Sequence, residues 1–256
     1  MTVTASGTPA TRVLGVPVST VNMPQTIAVI LSWIKSGQAH YICVRDVHGI
    51  MRAQEESELL EIHNRAGLVT PDGMPLVWLA RWRGHDQVER VCGADLVAEL
   101  CAASIEADIS HYFYGGKQGV AERMAAALRT RFPGLKVVGT NTPPFGTMSM
   151  EEDAAHTSDI IASGAGVVWV GLSTPKQEYW MRDHVDRIPG ATLVGVGAAF
   201  DFYAGDVRRA PQWMHKRGLE WLHRLASEPR RLWRRYLVMA PKFVLMVGLR
   251  GLGRGI

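Results

Sequence analysis

Cysteine is scarce in this 256-residue chain, and Cys43, Cys92 and Cys101 form no CxxC pair and no even set. That excludes a disulfide framework and suits a reducing compartment, so the protein is expected in the cytoplasm. The nine histidines are scattered, with no HExxH and no Cys/His cluster, and a metal site is not expected. No GxGxxG or GxxxxGKS/T stretch is present, and no GxSxG elbow surrounds Ser173. A dinucleotide fingerprint, a Walker loop and a serine nucleophile are thereby left out. No uninterrupted apolar run approaches the ~20 residues of a spanning helix. The best candidate, Phe243 to Leu249, lies between Lys242 and Arg250. The opening MTVTASGTPATRVLG holds no apolar h-region, so no secretory signal is expected, and residues 1–11 read as a mobile N-terminal extension.

Acidic residues are nearly missing from one part of the chain. The net charge is +4, yet residues 207–256 carry twelve Lys/Arg against two acids, Glu220 and Glu228. The whole positive excess therefore belongs to the last fifty residues, a segment expected to meet an anionic partner.

From about Arg12 onward, short apolar runs rich in β-branched and aromatic residues alternate with helix-length amphipathic segments, which predicts an α/β sheet. Strands are expected over 40–45 (HYICVR), 66–70, 111–116, 136–140, 167–172 and 192–197. Helices are expected near 22–36, 48–64, 94–107, 118–131, 150–163, 175–186 and 211–226. Ligands of such sheets bind outside the carboxyl ends of the strands. The informative stretches are thus GGKQG (115–119), GLSTPKQE (171–178) and GAAFDFYAG (197–205), which combine glycine with polar groups. Glycine there serves either a tight turn or close approach to a phosphate.

Two carboxylates stand out among acids that otherwise fall on solvated helix faces. Asp72 in VTPDGMP and Asp201 in AAFDFYAG each follow a strand and lie beside apolar residues. Asp72 reads either as a cap of a short helix over Met74 to Arg81 or as a partly desolvated general base.

The motif set resembles the WecG/TagA/CpsF family of bacterial glycosyltransferases over nearly all of residues 14–240. The resemblance rests on PDGMPLVW (71–78), ERVCGADL (89–96), YGG (114–116), RFPGLKVVG (131–139), VGLSTPKQE (170–178), GVGAAFDFYAG (195–205), RRAP (208–211) and GLEWLHRLASEPRRLWRRY (218–236). It implies a Rossmann-like, mostly parallel sheet flanked by helices, with residues 12–206 as the nucleotide-sugar-binding catalytic domain and 207–256 as a basic helical appendage. The implied reaction transfers a sugar from a UDP-sugar to an undecaprenyl-diphosphate-linked saccharide, with inversion and without a metal or other cofactor, in cell-surface polysaccharide synthesis. By the same resemblance Asp72 of the DG pair is the general base and Arg90 the partner of the departing phosphate, helped by Arg224, Arg231 and Arg234. Gly73, Gly115, Gly116, Gln177, Glu178, Gly197, Phe200 and Asp201 would line the substrate pocket, with Phe200 and Tyr114 readable equally as ring stackers or core. Where many members carry Thr-x-Asn, this chain has Val44-Arg45-Asp46 followed by His48. Asp46 and His48 are therefore expected to make different contacts to sugar or acceptor, and the donor sugar is left open.

The last segment interleaves Trp221, Trp233 and Tyr236 with Arg224, Arg230, Arg231, Arg234 and Arg235. Interfacial aromatics with phosphate-pairing arginines predict docking to the inner face of an anionic membrane. Nothing in it matches a nucleic-acid module, and self-association is a second way to cover its apolar face. Two other readings of the chain are a nucleotide-dependent oxidoreductase and a non-catalytic UDP-sugar or membrane-surface binding protein.

Overall fold

The structure is a computed structural model and describes residues 2–144, 146–211, 213–214 and 217–252, without the side chains of Arg231 and of residues 250–252. Its centre is a parallel sheet formed by β4 (His40–Arg45), β5 (Leu68–Pro71), β6 (Ser110–Gly115), β7 (Lys136–Asn141), β8 (Val167–Gly171) and β9 (Thr192–Gly195), in the order β5-β4-β9-β8-β6-β7. Parallel strands are covered on both faces, so they read as near-continuous apolar runs. Tyr41, Cys43, Val168, Val170 and Leu193 bury on one face, and Ile42, Val167, Trp169 and Val194 on the other.

The helices divide between those faces. α1 (Met23–Lys35), α5 (Gly93–Ala107), α6 (Val120–Arg131) and α9 (Ala199–Tyr203) cover the Trp169 face. The opposite face takes α2 (Val47–Glu55), α3 (Ser57–Arg65), α7 (Met150–Ala162) and α8 (Lys176–His184). Local sequence sets their starts. Asn22 and Gln25 form a capping box on α1, with Pro24 in its first turn, and Ser149 with Glu152 does the same for α7. A single helix expected over 48–64 is broken at Glu56, whose extended backbone (φ −128°) separates α2 from α3. Its carboxylate is held by Arg52 and by the Tyr179 hydroxyl at 3.2 Å.

Because β4 hands its chain to α2 on one face and β9 to α9 on the other, their exits diverge. A crevice opens between them, at the topological switch point where doubly wound folds bind ligands.

The expectation of an extension over residues 1–11 gives way to strands. β1 (Thr2–Val3), β2 (Pro9–Val13) and β3 (Val16–Ser19) form an antiparallel sheet. It lies beside edge strand β5, where Ser19 Oγ accepts the Val69 N–H at 3.0 Å. It thus occupies an edge that would otherwise offer unpaired backbone groups.

After α9 come α10 (Glu220–Ser227), α11 (Pro229–Trp233), a π-helical segment (Arg234–Met239) and α12 (Ala240–Leu252). This tail returns over the carboxyl ends of the strands and packs on α2, burying Leu232 and Phe243. Met239, Ala240, Phe243, Met246 and Val247 form the packed stripe at helical spacing. Leu237, Val238, Val244, Leu245 and Leu249 point outward and are exposed. Among the described residues no helix is long and apolar enough to cross a membrane.

Candidate active site

Two carboxylates meet at the crevice. Asp46 follows β4 and caps α2, its Oδ1 accepting the Gly49 N–H at 3.1 Å. Asp72 follows β5, and its own N–H continues the strand pairing by donating to the Arg45 carbonyl at 2.7 Å. The helix after it, α4 (Met74–Trp82), starts at Gly73 with no side-chain cap. Asp72 therefore does not cap that helix, and its carboxylate is left for other work. A Cβ on Gly73 would sit 3.4 Å from Asp46, so glycine lets the two strand exits lie close together.

Arg90 holds Asp72 at two points: its Nε donates to the Asp72 carbonyl and its Nη2 to Oδ1 at 3.0 Å. The same Nη2 reaches Glu220 Oε2 at 2.9 Å, which ties α10 to the base of the crevice. Arg235 of the π segment pairs with Asp46 Oδ2. The two acids titrate in opposite directions. Burial pushes the Asp72 carboxyl up, and Arg90 only partly offsets it. Burial acts the same way on Asp46, but the Arg235 guanidinium, His48 and the Gly49 N–H together outweigh it and hold that carboxyl well below the usual range. His48 is pushed down by burial and by Arg235, which keeps its imidazole neutral. Unequal acids in one cleft are how a site keeps one carboxyl basic and another fixed as an anion.

The crevice has two connected lobes. A polar lobe of about 490 Å³ is lined by Ser173, Thr174, Gln177, Gly197, Asp201 and Arg234. A more apolar lobe of about 290 Å³ is lined by Gly73, Met74, Trp78, Arg90, Phe202, Trp221 and Tyr236. Asp46, His48, Asp72, Arg224 and Arg235 face both. Gly197 has φ +45°, and a Cβ there would lie 3.4 Å from Gln177 Oε1. That oxygen is buried and accepts no hydrogen bond, a polar atom left over at the wall of the polar lobe. The Gln177 amide nitrogen donates to Glu178 Oε1 at 2.8 Å.

The other expected site residues lie elsewhere. Glu178 is fully buried and ion-paired with Arg45, which also donates to Thr174 Oγ1 at 3.0 Å; it supports the lobe from beneath. Gly115 and Gly116 line neither lobe. A Cβ on Gly115 would come within 2.7 Å of the Gly171 backbone, and one on Gly116 within 2.9 Å of Val120, so both serve close packing at the β6 exit. Phe200 is a core ring set edge-on to Phe113. Tyr114 is core as well, stacked on Trp180 with centroids 4.5 Å apart. The side chain of Arg231 lies outside the described residues. Arg45, Glu220 and Arg235 are site residues that the sequence reading did not select. Arg235 is one of several tail arginines, and no pattern in the sequence marks it out.

Among the described residues no three His, Cys, Asp or Glu side chains are grouped to hold a metal ion. A doubly wound sheet with an arginine-lined crevice at its switch point places the chain among the α/β proteins that bind their ligands outside the strand ends. The model of the glycosyl transferase WecG/TagA/CpsF family matches residues 11–255, and the chain belongs to that family. It is a glycosyltransferase of cell-surface polysaccharide synthesis.

Proposed function

We propose that the chain moves a sugar from a UDP-sugar to a polyprenyl-diphosphate-linked saccharide, with inversion and without a metal, at the inner membrane face. The carrying observation is the place of Asp72: a carboxyl raised by burial, held by Arg90, where a polar arginine-lined lobe meets an apolar one. In the reaction Asp72 takes the proton of the acceptor hydroxyl, whose oxygen bonds to the anomeric carbon. The bond from that carbon to the β-phosphate oxygen breaks, and UDP leaves with the electron pair. Its growing charge is met by Arg224 and Arg234, which face the polar lobe, while Arg235 stays on Asp46. Arg90, shared between Asp72 and Glu220, is better suited to orient the base than to follow a departing phosphate.

Gln177 Oε1 and the open backbone at Gly197 would receive polar groups of the nucleotide-sugar, and Asp46 and His48 the sugar itself. The outward apolar side of the tail, flanked by Trp221, Trp233 and arginines, would dock on an anionic leaflet. Without lipid the same side is open to a second copy.

The test incubates purified protein with a panel of UDP-sugars and a polyprenyl-diphosphate saccharide in the presence of chelator. UDP release that requires acceptor supports the reading, whereas hydride chemistry or binding without turnover overturns it. Asp72→Asn should lower turnover by about 10²- to 10⁴-fold while UDP affinity holds, and unchanged turnover removes Asp72 as base.

A further inference from the structure

α4 begins two residues after Asp72 and turns one side inward, burying Val77 and Ala80 against Val88. Its other side carries two indoles. Trp78 is 58% exposed and Trp82 75% exposed, and at i and i+4 they form a ridge ~6 Å long on one helix face. Large side chains left this bare are costly in water unless something covers them.

What covers them is indicated by the lobe that Trp78 borders. Trp78 lines the apolar lobe with Met74 and Pro75, while Trp221 and Tyr236 of the tail form the facing wall. Those two rings lie 5.7 Å apart. The turn at Gly218 seats the tail against α4, because a Cβ there would meet Met74 Cγ at 2.7 Å. The lobe therefore combines charged and apolar walls. Asp72, Arg90, Arg224 and Arg235 lie among its lining residues together with the exposed indole of Trp78, and Trp82 stands one turn further along α4. A ligand that carries a hydroxyl, an anionic diphosphate and a hydrocarbon chain matches such a mixed lining.

We propose that the apolar lobe and the Trp78–Trp82 ridge of α4 bind the prenyl chain of the acceptor as it leaves the diphosphate. The chain is led out between α4 and the tail, and the acceptor is selected by the isoprene units nearest its head. This rests on the reading of the protein as a transferase to lipid-linked acceptors, and it gives α4, outside the appendage, a role in recognising lipid. Indole faces bury hydrocarbon well and lose little side-chain freedom in doing so.

Binding is tested without turnover, by calorimetry of the full chain with geranylgeranyl diphosphate and, separately, inorganic diphosphate, in the absence of vesicles. Geranylgeranyl diphosphate is expected to bind the Trp78→Ala/Trp82→Ala protein at least about tenfold more weakly than the parent, as for removal of aromatic anchors. The Trp78→Phe/Trp82→Phe protein should stay near the parent, and inorganic diphosphate should separate the variants little. In transfer assays, kcat/KM should rise with isoprene number in the parent and flatten in the alanine pair. Equal weakening toward inorganic diphosphate, unaltered chain-length dependence, or an effect seen only on vesicles would overturn the proposal, the last assigning the ridge to the bilayer. If the prenyl chain binds as expected but no UDP-sugar is turned over, the transferase reading falls and the chain site stands.

Discussion

At the scale of single residues, the chemistry depends on the contrast between Asp72 and Asp46. Only unprotonated Asp72 can act as base, so kcat/KM falls as pH drops through its carboxyl pKa. Because that pKa is raised, the acid limb should lie above the ordinary carboxylate value of ~3.9. Arg90 pulls it down, so Arg90→Met should move the limb to still higher pH; a limb that stays or moves down would separate Arg90 from the base. The same shifts act on stability with opposite signs. Asp72, raised on folding, favours the folded state at pH below its unfolded value and loses that contribution as pH rises through its folded one. Asp46, lowered on folding, contributes above its unfolded value and loses it as pH falls through its folded one. Asp72 was legible as a lone carboxylate between a strand and a helix. Gly115 and Gly116 were not separable from phosphate-cradling glycines, because close packing and close approach of a ligand call for the same missing Cβ. Arg235 was hidden for another reason: among several tail arginines, only the fold determines which one faces Asp46.

At the scale of elements, β4, β5, β6, β8 and β9 were readable because buried parallel strands concentrate β-branched and aromatic residues. β1 to β3 were not, since TV, PATRV and VPVS are short, partly polar pieces whose order comes from lying beside β5. The tail was legible as basic and amphipathic, but its return over the crevice was not. That return is fixed by Glu220 on Arg90, Arg235 on Asp46 and Phe243 in the core. Asn caps a helix as well as Asp, so Asp46→Asn removes the charge and leaves the cap on α2. Hydrogen exchange across Arg234–Met239 should then quicken, by about tenfold if the pair holds the segment closed, and turnover should fall with it. Unaltered exchange would mean that packing of Leu232 and Phe243 alone keeps the tail in place. The π-helical turn carrying Arg235 fits the frequent placement of such turns at functional sites.

At the scale of the whole molecule, charge and exposed apolar surface gather on the same part of the chain. Each basic residue near an anionic leaflet contributes roughly 1 kcal/mol, and salt screens it. The protein should sediment with phosphatidylglycerol vesicles more than with phosphatidylcholine ones, and less as salt rises; indifference to lipid charge would remove the electrostatic part. Shortening the chain after Ser227 should lower vesicle binding and turnover together. The strand order carries a last consequence, for the making of the molecule. His40 of β4 pairs with Thr192 of β9, and between them the chain lays down both edges of the sheet before its middle. Ribosomes release the N-terminal part first, so an unfinished chain has a gap where the crevice belongs, and Asp46 has no cation until Arg235 emerges. A chain cut before β9 lacks one wall of the crevice and a chain cut before Arg235 lacks the cation on Asp46, so both are expected to be inactive in the transfer assay.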